Sequence, residues 1–192
     1  NFNFKELKQL DAGFNWTDDD SLTFPYRNKG ISIPSLKEVL DTFSSYRINI
    51  EIKKYEPWVI TNFCNILKEY ELIDKVLIGS FIDEALDEFR IECPEVATSA
   101  AMIEGMIFYR LNSLYLGWLY TPSIKVFEAP EYYKNTRVIN EKLINSLHNK
   151  NIPIYVWTVN DKKDMEYLIK LGVDGIITDY PDRLSEILKG PI

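Results

Sequence analysis

The chain has 192 residues, 46% hydrophobic and 14% aromatic, with a formal net charge of −7, a size and balance that suit one globular domain with a real core. An acidic chain with no compensating run of Lys and Arg argues against a nucleic-acid partner. Cys64 and Cys93, without C-x-x-C spacing, imply neither a zinc site nor a disulfide framework and leave the redox compartment open.

The chain opens on Asn1 and meets its first methionine at Met102, so it is expected to lie within a longer polypeptide. Phe4 to Leu10 has the pattern of a short helix. Asp11 to Ile33 is a polar, aromatic loop ending at Pro34, in which Asp18, Asp19 and Asp20 lack calcium-loop spacing and read as solvated. Ser35 caps a helix running to Phe43, with Glu38 completing a capping box.

Arg47 to Lys53, R-I-N-I-E-I-K, alternates strictly. Ile48, Ile50 and Ile52 share one strand face, and Asn49, Glu51 and Lys53 the other. In a barrel of parallel strands, charged inward residues near a strand's C-terminal end line the active site; in an exposed antiparallel strand the same pattern is only a solvated face.

Further β-branched runs follow at Val76 to Phe81, Val96 to Ser99, Ile124 to Phe127, Ile154 to Val159 and Gly175 to Thr178. Between them lie helical patterns at Pro57 to Tyr70, Asp83 to Ile91, Asn140 to Asn149 and Lys162 to Leu171. Ala101 to Tyr120 reads as a buried or interfacial helix, because Glu104, Arg110 and Asn112 would be costly in a bilayer. Alternation of strand and helix predicts an α/β fold with parallel strands and right-handed crossovers. No glycine-rich phosphate loop follows the first strand. A (β/α)8 barrel runs to ~250 residues, so six strand-helix repeats, with two absent (about 60 residues), match this length.

Glu6 to Gly13 (ELKQLDAG), Ile33 to Leu40 (IPSLKEVL), the Asn49 to Lys53 strand, Ser80-Phe81, Val156 to Asn160 (VWTVN) and Gly172 to Asp182 (GVDGIITDYPD) occur in an order that resembles the glycerophosphodiester phosphodiesterase family. The resemblance implies a TIM-type barrel of which the third to eighth repeats are present as a single domain, residues 1–192. It implies hydrolysis of glycerophosphodiesters, of the glycerophosphocholine and glycerophosphoethanolamine class, to glycerol 3-phosphate and an alcohol, with a divalent cation, Ca²⁺ or Mg²⁺. By the same resemblance Glu51 is the metal-ligating glutamate, Lys53 the phosphate-binding lysine, and Trp157 and Phe81 the aromatic residues around the substrate. Asn160 and Asp179 lie near strand ends.

The family's His-Arg-Gly motif, Glu-x-Asp pair and following His-Asp are missing, so no catalytic acid or base is expected in this chain and it alone is expected to be inactive. A phosphodiester needs charge neutralisation, a base and an acid, and Glu51 and Lys53 serve only the first. His148, the sole histidine, is expected at a helix C-terminus at the far end of the barrel, with no catalytic part. Asp174 and Asp182 read as turn and cap residues. Phe14, Trp16, Phe24 and Tyr26, with Met106, Ile107, Phe108 and Leu111, could form an apolar mouth for a lysophospholipase D, or equally pack the core. A noncatalytic phosphate-binding module is the further alternative. The absent N-terminal segment or another chain is expected to cover the open sheet edges. The compartment, cytoplasmic or exported, is left open.

Overall fold

A computed structural model describes residues 2–190. They divide into two compact units, one up to Tyr46 and the other from Arg47 onward, and no Gly- or Pro-rich linker marks the division.

In the first unit, α1 (Phe4–Gln9) and α2 (Leu36–Phe43) flank the aromatic loop. Both helices start at capping boxes. The Asn3 side chain accepts from Glu6 N–H, and the Ser35 hydroxyl accepts from Glu38 N–H at 3.3 Å while Glu38 accepts from Ser35 N–H at 2.7 Å, which satisfies amides that have no helical partner. Lys8 reaches Glu38 at 2.9 Å. Together, the Ser35 amide first and the Lys8 ammonium next, they hold the Glu38 carboxyl down to about 2.

The second unit alternates strand and helix throughout: β1 (Ile48–Glu51), α3 (Pro57–Glu69), β2 (Val76–Gly79), α4 (Asp83–Glu92), β3 (Ala97–Thr98), α5 (Met102–Ser113), β4 (Phe127–Pro130), a hairpin of β5 (Tyr132–Tyr133) and β6 (Thr136–Arg137), α6 (Glu141–His148), β7 (Ile154–Trp157), α7 (Lys162–Leu171), β8 (Gly175–Ile176) and α8 (Pro181–Lys189). The strands form two parallel three-stranded sheets, β1-β2-β3 and β4-β7-β8. A lone parallel bridge, Ser99 to Val126, joins β3 to β4. Parallel strands connected by helices put every strand's C-terminus on one rim, which here carries the residues after Glu51, Gly79, Thr98, Pro130, Trp157 and Ile176.

Helices cover the outer faces. Phe127, Ala129, Ile154 and Val156 of the second sheet join one buried cluster with Leu143, Ile144 and Leu147 of α6 and Met165 and Leu168 of α7. Asp161 caps α7 through Lys163 N–H at 2.8 Å, and Gly172 ends it at φ +93°, a left-handed backbone that favours glycine. Behind the first sheet, Phe63 of α3 and Phe89 of α4 meet at 5.7 Å between ring centroids, and a disulfide joins Cys64 of α3 to Cys93 just past α4. The sequence carries no sign of this crosslink, because its partners lie 29 residues apart, one within α3 and the other just past the end of α4.

Two expectations are corrected. The fourth strand lies at Phe127–Pro130, not Ile124 to Phe127, because Lys125 N–H is drawn to Thr98 O (3.0 Å) and the ladder with β7 begins only at Phe127. The long helix from Ala101 stops at Ser113; Tyr115 turns to φ +64° and Gly117–Leu119 forms a 3₁₀ turn. A side chain at Gly117 would press on Ser146 Oγ and Asn112 Oδ1, 3.0 and 3.1 Å from its Cβ position. Among the described residues no helix is long and apolar enough to cross a membrane.

Candidate functional site

β1 keeps the alternation read from its sequence. Ile48 and Ile50 are half-buried and Ile52 buried, while Asn49, Glu51 and Lys53 are exposed. The Lys53 ammonium sits 2.6 Å from Glu51 Oε2, a cation and an anion presented together at the rim.

Phe81 follows β2 and Trp157 ends β7, so their strands belong to different sheets. Their rings meet edge to face, with centroids 5.6 Å apart and planes at 84°, a favoured aromatic geometry. Ser80 fixes the approach: its hydroxyl donates to Ile52 O at 2.7 Å and accepts from Ile82 N–H at 3.0 Å. Asn160 and Asp179 are tied to each other. The Asn160 amide donates to Asp179 at 2.8 Å and accepts from Thr178 Oγ1 and Asp179 N–H, and its carbonyl accepts from Arg183. Both serve to latch the turn after β7 to the turn after β8.

His148 lies at the opposite rim. Its Nε2 is 2.8 Å from Asp174 Oδ2, and the same oxygen accepts from the N–H of Ile154, the first residue of β7. In the first unit, Asp19 accepts from Thr17, Leu22 and Thr23, and these bonds, that of the Thr23 hydroxyl foremost, bring its carboxyl down to about 2. The loop's aromatics are engaged with one another: Arg27 lies over Phe14 and Phe24, and Trp16 packs edge-on to Tyr26. On α5, Phe108 is buried in the core whereas Met106 and Ile107 are exposed.

Sequence reasoning missed Glu128. It projects from β4 toward β1, where Asn49 Nδ2 donates to its Oε1 at 2.5 Å. Gly79 makes the room, since a Cβ there would stand 3.1 Å from both Glu128 Oε2 and Ser99 Oγ. Burial pushes the Glu128 carboxyl above its usual range, with the Glu51 charge adding to it and bonds from Asn49 and Ser99 opposing. Alternation in F-E-A-P was the available signal, but the strand was expected to end at Phe127.

Also unanticipated is the β5–β6 hairpin, which brings Arg137 onto Glu131, a buried carboxylate. Burial pulls the Arg137 guanidinium down, but the bond and charge of Glu131 outweigh it and its pKa is raised. Between the hairpin and the turn after β7 lies a cleft of about 370 Å³, with Pro130, Glu131 and Tyr132 on one side and Trp157, Asn160 and Asp164 on the other.

Among the described residues no group of three or more His, Cys, Asp and Glu gathers to hold a metal. Hard cations take six or more oxygens, whereas Glu51 is already bonded to Lys53. The donors present do not make up a cation site by themselves.

The chain matches the model of the glycerophosphoryl diester phosphodiesterase family over residues 1–183. A glycerophosphodiester phosphodiesterase of Caldanaerobacter subterraneus is 28% identical over 193 residues, covering 98% of this chain and 72% of the relative. A lysophospholipase D of Rattus norvegicus is 24% identical over 179 residues, covering 81% and 56%. A solved Oleispira antarctica phosphodiesterase, in complex with its product sn-glycerol-3-phosphate, superposes with a TM-score of 0.65 at 19% identity, over 98% of this chain and 71% of that one. At that identity the likeness speaks for the fold, a mixed α/β arrangement of the TIM-barrel phosphodiesterase kind.

Proposed function

Because the chain belongs to the glycerophosphoryl diester phosphodiesterase family, we propose that it forms the third to eighth strand-helix repeats of a barrel that hydrolyses glycerophosphodiesters to glycerol 3-phosphate and an alcohol. Lys53 binds the phosphate. Glu51 contributes one ligand to a divalent cation, Ca²⁺ or Mg²⁺, whose other oxygens come from water and from residues outside this chain. Phe81 and Trp157 hold the glycerol or the leaving group. The acid and base belong to the two repeats this chain lacks, so it has no turnover alone; those repeats, or a second chain, cover the free sides of β1 and β8.

One observation carries this reading. Parallel pairing puts Glu51, Lys53, Phe81 and Trp157 on the same rim, the end where barrels of this kind do their chemistry. A second reading, lysophospholipase D, is favoured by the exposed Met102, Ile103, Met106 and Ile107. They line the start of α5, which Asp83 ties to the start of α4 through Ile103 N–H at 3.0 Å, close to Phe81.

The test is release of glycerol 3-phosphate from glycerophosphocholine by the parent polypeptide, with and without EDTA, alongside its intact mass. EDTA-sensitive release, reduced on the order of a hundredfold or more in Lys53→Ala, supports the reading. A parent with no release at any metal concentration, still binding phosphate through Lys53, would leave a noncatalytic module. Faster turnover of lysophosphatidylcholine than of glycerophosphocholine would favour the second reading.

A further inference from the structure

Helices α6 and α7 turn polar side chains to solvent: Glu141, Asn145 and His148 on the first, and Lys163, Glu166 and Lys170 among those on the second. α5 does not. It buries Phe108 and Asn112 on one side yet exposes Ile103, Met106 and Ile107 on the other, with Arg110 as its only exposed charge. A helix that is apolar all round is ordinarily buried. The chain beyond α5 extends the exposed surface, since Leu114, Tyr115, Trp118 and Leu119 are 67%, 80%, 75% and 56% exposed. Their backbone is nonetheless fixed. Leu116 N–H donates to Leu111 O at 2.8 Å and Leu119 N–H to Leu116 O at 3.0 Å, and the buried Gly117 sits close against Asn112 and Ser146. These side chains are thus held out to solvent on a built turn, and so many exposed apolar groups together mark an interaction surface.

Charge indicates what this surface faces. The chain carries 29 acidic residues, but none falls between Glu104 and Glu128. Cations flank the turn instead. Arg110 is exposed, Lys142 Nζ donates to Ser113 O at 3.0 Å and stands 3.2 Å from the Tyr115 ring centroid, and Lys150 Nζ donates to Thr121 Oγ1 at 3.0 Å. Trp and Tyr beside leucines, flanked by Lys and Arg, is the composition of a segment that sits in the headgroup layer of an anionic bilayer. Two other occupants fit less well. A second copy in a two-fold contact would set the same cations against one another. Repeats completing a barrel would attach at the free sides of β1 and β8, whereas α5 joins β3 to β4, in the middle of the strand run. We propose that the turn after α5, with the outward face of that helix, docks the protein on an anionic lipid surface. Tyr115, Trp118 and Leu119 enter the interface, and Arg110, Lys142 and Lys150 meet headgroup phosphates. α5 carries the chain back from the rim of Glu51 and Lys53, so docking leaves that rim open to water, and the proposal stands apart from the phosphodiesterase reading.

The test needs no turnover, so it uses the 192-residue chain. The chain is sedimented with vesicles of phosphatidylcholine alone and of phosphatidylcholine with an equal share of phosphatidylglycerol, and its tryptophan emission is followed with brominated lipid in the vesicles. Binding to the anionic vesicles is expected, about tenfold or more tighter than to phosphatidylcholine alone. It should weaken about fivefold in Lys142→Ala and on the order of tenfold in Trp118→Ser/Leu119→Ser. Trp118→Phe should keep the binding but lose most of the quenching, which separates this surface from Trp16, Trp58 and Trp157. Circular dichroism checks that each variant folds. No binding to anionic vesicles, equal binding to both kinds, indifference to Lys142→Ala or to the double serine variant, or quenching that persists in Trp118→Phe would each overturn the proposal. So would a lipid-free dimer in sedimentation equilibrium that Trp118→Ser/Leu119→Ser dissociates, since the surface would then belong to a second copy.

Discussion

Breaking the Cys64–Cys93 crosslink is expected to cost the fold about 3.6 kcal/mol. The bond spans a sequence separation of 29, and the loop-closure relation gives an entropy of ~12 cal/mol/K for such a loop, or about 3.6 kcal/mol at 25 °C. Both cysteines are buried, at 2% and 0% exposure, so a Cys64→Ala/Cys93→Ala variant loses packed sulfur as well as the constraint. The clean comparison is therefore between oxidised and reduced wild type, by urea unfolding at neutral pH, with the double variant as a third curve. Reduction should lower the thermal midpoint by roughly 7–14 °C and steepen the urea dependence, because the released unfolded chain exposes more surface. Thiol titration in denaturant should find two groups after reduction and none before. If the oxidised and reduced curves coincide while only the double variant is weakened, the entropic reasoning is wrong and packing is the source.

Three further outcomes are expected. Asp174→Ala should cost about 1–3 kcal/mol in urea unfolding, because it leaves the buried Ile154 N–H without an acceptor, whereas His148→Ala removes only a half-exposed pair and should cost under about 1 kcal/mol; equal losses would contradict this. Glu38 is held at about 2 against an ordinary 4.5, so its contribution is present above 4.5 and is lost as pH falls toward 2; Glu38→Gln should flatten the acid limb of α2 melting, followed by amide exchange. Glu128 has the opposite sign: its raised pKa means the native state retains a proton that the unfolded chain has lost, so stability declines as pH rises through that window. Glu128→Gln should remove that decline in pH-dependent denaturation, and a persisting decline would assign it elsewhere.

Period-two and helical patterns made the mixed α/β order of parallel strands and intervening helices legible, because alternation and amphipathic spacing are local properties, while the bounds of the fourth strand and of the helix before it were not. β1 shows the limit of that reading. Its pattern separated Glu51 and Lys53 from the isoleucines, but only the fold brings Phe81 and Trp157 into contact and shows Glu51 bonded to Lys53. Glu128 was lost to a three-residue shift in where β4 begins, which left it outside any strand and so without a face. The disulfide and the Glu131–Arg137 pair depend on how α4 returns against α3 and how a short hairpin folds back. Neither is set by spacing along the chain.

The wall of the second unit is not uniformly knit. Where β3 meets β4 one backbone bridge and the bond from Lys125 N–H to Thr98 O stand in for a ladder, and side chains add further stitches: Arg90 donates to Thr98 Oγ1, Ser99 O and Glu104, and Glu104 in turn accepts from Ser123 N–H. A joint of so few backbone bonds, reinforced by one guanidinium, parts more readily than one zipped by consecutive amides. The two sheets are thus best regarded as two leaves on a common spine, each carrying one of the aromatic jaws, Phe81 on one and Trp157 on the other. Breathing along that spine would alter the gap between the jaws without unfolding either leaf.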